Sequence, residues 1–219
     1  MPIRIIIFGL TIALLATTTL VAQDDEKKST TAKKNAVMEK AKAEGVAKNK
    51  EDINLLDTDD TWRKETLFFP FPFARDIKLE GEIDVRFSKG WSKQNSPLFW
   101  SYALGWNITR KEKLSETELE GIMQSYLGGL MKAVNRDKDF TVPDAIAVFT
   151  ETSNDAGEVK YKGKIRMHDS FFSKKTVTLN VIGEYTFSEA DQRSKLIFKL
   201  SPQDLDHEAW EYLNKAKLR

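Results

Sequence analysis

Histidine is scarce in this chain and cysteine is absent: the 219 residues contain His168, His207 and no thiol. A cysteine nucleophile, a disulfide and a thiolate metal site are therefore excluded, and a zinc site built on several histidines would need more than one chain. His207 stands among Asp204, Asp206, Glu208 and Glu211. That company suits a divalent cation or acid–base chemistry, but acids at the start of a helix are also what the positive end of the helix dipole favours, and this second reading is preferred. His168–Asp169 precedes Ser170–Phe171–Phe172 and reads as part of a turn. Asp137-x-Asp139 opens like a calcium loop, yet Val142 stands where that loop needs glycine and Val148 where it needs a bidentate glutamate. There is no Gly-x-Ser-x-Gly elbow, Walker loop or dinucleotide fingerprint. No catalytic residue, metal ligand or cofactor is assigned. Carboxylates are abundant enough for an acid-pair hydrolase of glycans or peptides, but no spacing singles out a pair.

Aromatic residues are the more distinctive chemistry. Trp62, Phe68, Phe69, Phe71, Phe73, Trp91, Phe99, Trp100, Tyr102 and Trp106 all fall within one short stretch. Rings on strands usually fill a core. The functional alternative is a cleft between sheet and helix, with Trp91, Trp100, Tyr102 and Trp106 as its ligand-binding side chains. A second unusual surface lies on the segment from Ser115 to Leu130, where Gly121, Ser125, Gly128 and Gly129 fall opposite the apolar stripe. A glycine inside a helix costs about 1 kcal/mol relative to alanine. Either the helix stops at Gly128–Gly129, or another backbone approaches there. On the second reading Phe69, Phe71, Phe73, Gly121 and Gly128 form a candidate partner surface.

The elements that must position these residues follow from periodicity. Ile77, Leu79, Gly81, Ile83, Val85 and Phe87 alternate with polar neighbours, as do Trp100–Ile108, Tyr161–Met167, Val177–Phe187 and Leu196–Leu200. Such alternation gives strands with one buried and one wet face, hence an antiparallel sheet. Ala145–Thr150 is a shorter strand. Ser115 and Glu118 form a capping box ahead of the stripe Leu119, Ile122, Met123, Tyr126, Leu127 and Leu130. Ser201–Pro202–Gln203–Asp204 reads as the start of a second helix, with Leu205, Ala209, Tyr212 and Leu213 on its inner face. The expected fold is α+β: a curved antiparallel sheet of about six strands with two helices packed on one face, in the order β-β-α-β-β-β-β-α.

Three regions follow along the chain. Residues 1–22 have the pattern of a signal peptide: Arg4, an apolar run from Ile5 to Leu15, and Ala22 before the expected cut. Residues 23–61 are a charged spacer without aromatic residues, too polar to offset its own ordering entropy. Residues 62–219 form a single α+β domain. Export to the periplasm or outside the cell is expected, without lipid attachment at a cysteine and without a transmembrane segment once the signal is removed. A net charge of +1 offers no electrostatic case for nucleic acid. The leading expectation is a non-enzymatic binding or accessory domain for an apolar, carbohydrate or protein ligand. The hydrolase and a structural or assembly role are the alternatives.

Overall fold

A computed structural model describes residues 53–137, 139–155 and 158–219. The expected signal segment and most of the spacer lie outside the described residues. The elements are β1 (Leu56–Asp57), β2 (Arg63–Phe69), β3 (Gly81–Phe87), β4 (Tyr102–Ile108), α1 (Glu116–Val134), β5 (Ile146–Asp155), β6 (Glu158–His168), β7 (Thr176–Ser188), β8 (Arg193–Ser201), α2 (Ala209–Leu213) and β9 (Lys217–Leu218). Seven strands form one sheet in the order β2-β3-β4-β8-β7-β6-β5, and β1 pairs with β9 in a separate two-stranded ribbon. Every pairing is antiparallel. The α+β class with its antiparallel sheet is as the alternation implies. The additional strand is β2, whose sequence Arg-Lys-Glu-Thr-Leu-Phe-Phe has no clean period-2 pattern.

Side-chain parity assigns the two faces. On the front, Ile83 and Val85 of β3, Leu104 and Trp106 of β4 and Phe198 of β8 share one core with Leu119, Met123, Leu127 and Met131 of α1. The helix starts as its capping box requires. The Ser115 hydroxyl accepts the Glu118 N–H at 3.3 Å, and the Glu118 carboxylate accepts the Ser115 N–H at 2.9 Å. Hydrogen bonds from the Ser115 backbone, then from Arg110, pull the Glu118 carboxyl down to a pKa of about 2. The helix runs through Gly128–Gly129 to Val134 without stopping there. A Cβ at Gly129 would lie 2.2 Å from the Phe73 carbonyl oxygen, so glycine is what admits the Phe69–Phe73 segment against the helix.

The back face departs from the sequence expectation twice. Both helices were expected on one face, but α2 lies on the other. Trp210 and Leu213 pack with Ala103, Ile197, Leu56 and Trp62 in a second, separate cluster. The predicted start of this helix at Ser201 is also displaced. Ser201 remains in the sheet opposite Asn180, and its hydroxyl is engaged by Ser101 at 2.8 Å and by the Gln203 N–H at 3.2 Å. Helix begins only at Ala209, whose N–H donates to Nδ1 of His207 at 3.0 Å. Leu205, expected inside, is exposed.

Asp84 and Arg86, expected on a wet face, are buried. The Asp84 carboxylate accepts Nε of Arg86 at 2.7 Å, Nη2 of Arg86 at 2.9 Å, and the N–H groups of Leu55 and Leu56 at 3.0 and 3.1 Å. Residues 53–61 therefore belong to the folded unit, where the spacer had been expected to extend to Thr61. Leu56 is fully buried and lies over Gly105, where a Cβ would meet its Cγ at 2.8 Å.

Leu56→Ala should thus cost about 2–5 kcal/mol of unfolding free energy, as truncation of a buried leucine does. Lys162→Ala, on the exposed side of β6, should stay within about 0.5 kcal/mol. Urea denaturation of the two variants checks this. Equal midpoints would place Leu56 outside the fold.

Candidate functional site

A sheet of seven strands is roughly 29 Å across at about 4.8 Å per spacing, whereas a helix with its side chains is about 10–12 Å wide. One helix cannot cover that face. α1 lies closest to β5 and β6, and the β2–β3–β4 side is covered by rings from connecting segments instead. Between these rings and the sheet is a cavity of about 400 Å³. Its floor is Leu67 of β2, Val85 and Phe87 of β3 and Tyr102 of β4, and α1 supplies Tyr126, Leu127 and Leu130 as one wall. Phe73, Trp91, Trp100, Phe171 and Phe172 complete the enclosure, and Arg63 and Glu65, both exposed on the edge strand, form the rim.

The rings hold each other in a chain. Trp91 stacks on Phe87 at 4.2 Å between centroids and meets Phe172 edge-on at 5.1 Å. Trp100 approaches Trp91 edge-on at 6.1 Å and Tyr102 at 6.2 Å. The backbone of Trp100 has φ 54°, in the left-handed region. For a bulky residue this conformation costs on the order of 1–3 kcal/mol and persists only where the surroundings enforce it. Here the Trp100 N–H donates to the Trp91 carbonyl at 2.8 Å, which ties the two indoles together at the cavity wall.

Asp169 fixes the adjoining part of the wall. Its carboxylate accepts the N–H groups of Phe171, Phe172 and Ser173 at 2.9, 3.0 and 2.7 Å, and the Ser173 hydroxyl at 2.7 Å. Burial pushes its pKa up, but the donors from Ser173 and Phe172 outweigh that, so the group titrates below the ordinary aspartate range. The Trp100 indole adds to the lowering without a well-aligned hydrogen bond. Asp169 is thus occupied in shaping the turn that presents Phe171 and Phe172.

Inside the cavity the polar groups are few. The Tyr102 hydroxyl is buried without a hydrogen-bond partner. Burial, then the neighbouring Tyr126, raises its pKa well above the usual phenol value. Tyr126 is raised too, by burial and then by the negative charge of Glu65. Both phenols therefore stay protonated at neutral pH. Among the described residues no group of three His, Asp or Glu side chains is placed to hold a metal ion, and Glu65 is the one carboxylate lining the cavity.

Of the candidate ligand-binding residues, Trp91, Trp100 and Tyr102 meet at this cavity. Trp106 does not. It is buried between Phe69, edge-on at 5.4 Å, and Phe198 at 4.8 Å. Of the candidate partner surface, Phe69 and Phe71 are buried in the core and Phe73 is half-buried at the cavity. Gly128 packs on Ala145, and Gly121 faces open space. Sequence reasoning missed Phe87, Phe171, Phe172 and the role of Asp169. An aspartate followed by Ser-Phe-Phe-Ser carries the pattern of a side chain bonding its own turn, which was the available clue. No protein-family model, curated protein or solved structure matches the chain.

Trp106→Ala should cost about 3–5 kcal/mol of stability, as loss of a core ring does, and Trp91→Ala, half-buried at the cavity wall, distinctly less. Denaturation curves that rank them the other way would contradict the placement of these rings. Asp169→Asn should lose about 1.5–3 kcal/mol at neutral pH, the worth of hydrogen bonds to a charged group. Because the folded pKa is depressed, that contribution is complete above about pH 4, the unfolded value, and fades as pH falls through the folded value. Unfolding free energies of both proteins across acid pH should converge. A gap that persists in strong acid would mean that the carboxylate charge is not what stabilises the turn.

Proposed function

We propose that this protein binds a small apolar or amphipathic molecule in the aromatic cavity. The observation that carries the reading is a largely apolar cavity walled by Trp91, Trp100 and Tyr102. Its volume of about 400 Å³ falls in the range of small-molecule sites, roughly 300–1,000 Å³. A carbohydrate is a poor match, because a sugar's many hydroxyls would be buried against rings with two phenols and a charged rim to receive them. The ligand that fits is a ring system or short acyl chain whose polar end lies at Arg63 and Glu65 and which makes no more than one or two hydrogen bonds inside. Acid-pair hydrolysis would need a second carboxylate facing Glu65. Export supports a carrier or sensor outside the cytoplasm, and it rests on the Arg4, Ile5–Leu15 and Ala22 pattern of the N-terminus.

The neutral fluorophore N-phenyl-1-naphthylamine is a suitable probe. It should brighten saturably at one site and quench tryptophan emission. Leu130→Trp adds bulk at a half-buried cavity position. It should weaken the probe at least tenfold while leaving the melting temperature unchanged or raised, as cavity filling does. Undiminished binding to a folded Leu130→Trp variant would rule the cavity out as the site.

A further inference from the structure

The outward side of the sheet at the β5 edge carries a basic column, with Glu158 of β6 at one end of it. Lys160, Lys162, Lys164 and Arg166 of β6 are all exposed and repeat every second residue, about 7 Å apart. None of the four is in an ion pair among the described residues. Their cross-strand neighbours supply no free acid. Lys162, Lys164 and Arg166 stand opposite Ile182, Asn180 and Thr178 of β7, and opposite Thr150, Val148 and Ile146 of β5. Glu184, across from Lys160, is bonded to Lys199 at 3.2 Å. Cations this close repel one another, so the arrangement costs stability unless something negative lies over it.

Apolar residues flank the same column. Phe140, Ile146 and Val148 are 40%, 56% and 55% exposed, three of the five large hydrophobic side chains that stand out from the described surface. Phe140 packs at a tilt against His168, next on the basic line, at 4.6 Å between ring centroids. β5 is an edge strand. Soluble proteins usually blunt such an edge with charge, whereas this one presents Ile146, Val148 and Thr150 outward and places its cations one strand further in. A polyanion in solution would reward the lysines alone. A lipid surface rewards both, because its headgroups attract the cations and its interface accepts short apolar side chains.

We infer that the outer face of β5 and β6 docks on an anionic lipid surface. Two signals act together there, charge and shallow apolar insertion, neither sufficient for stable attachment alone. The contact leaves the cavity on the opposite face of the sheet unobstructed.

The test is co-sedimentation with vesicles of phosphatidylcholine containing about one-third phosphatidylglycerol, against pure phosphatidylcholine, in the spirit of charge-dependent membrane binding. A chain beginning at Gln23 keeps every described residue and the whole compact unit from Asp52 to Arg219, and it lacks the apolar run at the N-terminus. It should bind the anionic vesicles selectively and release as salt rises. Lys162→Glu with Lys164→Glu should reduce partitioning at least tenfold. Ile146→Ser with Val148→Ser should reduce it most at higher salt, where the apolar part remains. Both pairs are exposed, and urea midpoints near the parent's verify the fold. Equal partitioning onto neutral and anionic vesicles would overturn the inference. So would lysine-dependent binding to soluble polyphosphate combined with serine variants that bind vesicles like the parent. A dimer in the absence of lipid, broken by the serine pair, would instead make β5 a self-pairing edge.

Discussion

The carboxylate of Asp84, buried in the middle of β3, is the contact on which the back of the molecule depends. Taking an ion out of water costs several kcal/mol, recovered only when its partners are close and its lone pairs are filled. Here Arg86 supplies two of those bonds and the Leu55 and Leu56 N–H groups two more. Arg86 in turn donates to Thr58, to the Leu56 carbonyl and to Asn54. A two-residue strand, β1, is thereby clamped across the sheet, with Leu56 seated over Gly105. Once β1 is held, β9 pairs with it, and α2 lies beside them over Ala103 and Ile197. The result is a β4 strand buried on both faces over nearly its whole length. That rigidity reaches the front, since Tyr102 of β4 and Val85 and Phe87 of β3 form the cavity floor.

The cavity itself follows from a shortage of covering helix. α1 closes the β5–β6 side of the front face, and the far side is left to rings on segments that have no repeating structure of their own. Such segments can leave space that a second helix would fill. They hold their shape through Asp169, which organises one wall, and through the tie between Trp91 and Trp100, which enforces a costly backbone at Trp100. Backbone strain at Trp100, beside an apolar space, is a feature that packing alone would remove.

Much of the fold was legible because burial writes itself as periodicity. The α1 stripe, its capping box and the alternation of β3, β6, β7 and β8 each follow from a face that must be dry. The back of the sheet was illegible for the opposite reason. Asp84 and Arg86 look solvated in any window, and only contact with residues 53–58, distant in sequence, makes them core. Ser201–Pro202 is a sound helix start locally, but the Ser101 hydroxyl and the Asn180 pairing claim Ser201 first. For the site, the density of rings between Trp62 and Trp106 pointed to the right region. It could not separate Trp106, which faces Phe198, from Trp100 and Trp91, because which rings border empty space depends on Phe171 and Phe172 arriving from another part of the chain.

The space bounded by Trp91, Trp100 and Tyr102 is proposed to be a binding site. A crystal structure of the protein soaked with N-phenyl-1-naphthylamine tests it most directly. The naphthyl ring should lie inside the cavity against the Trp100 indole, with the Asp169 turn unchanged. A cavity that stays empty with the probe bound elsewhere, or one filled by Phe171 and Phe172 folding inward, would contradict it.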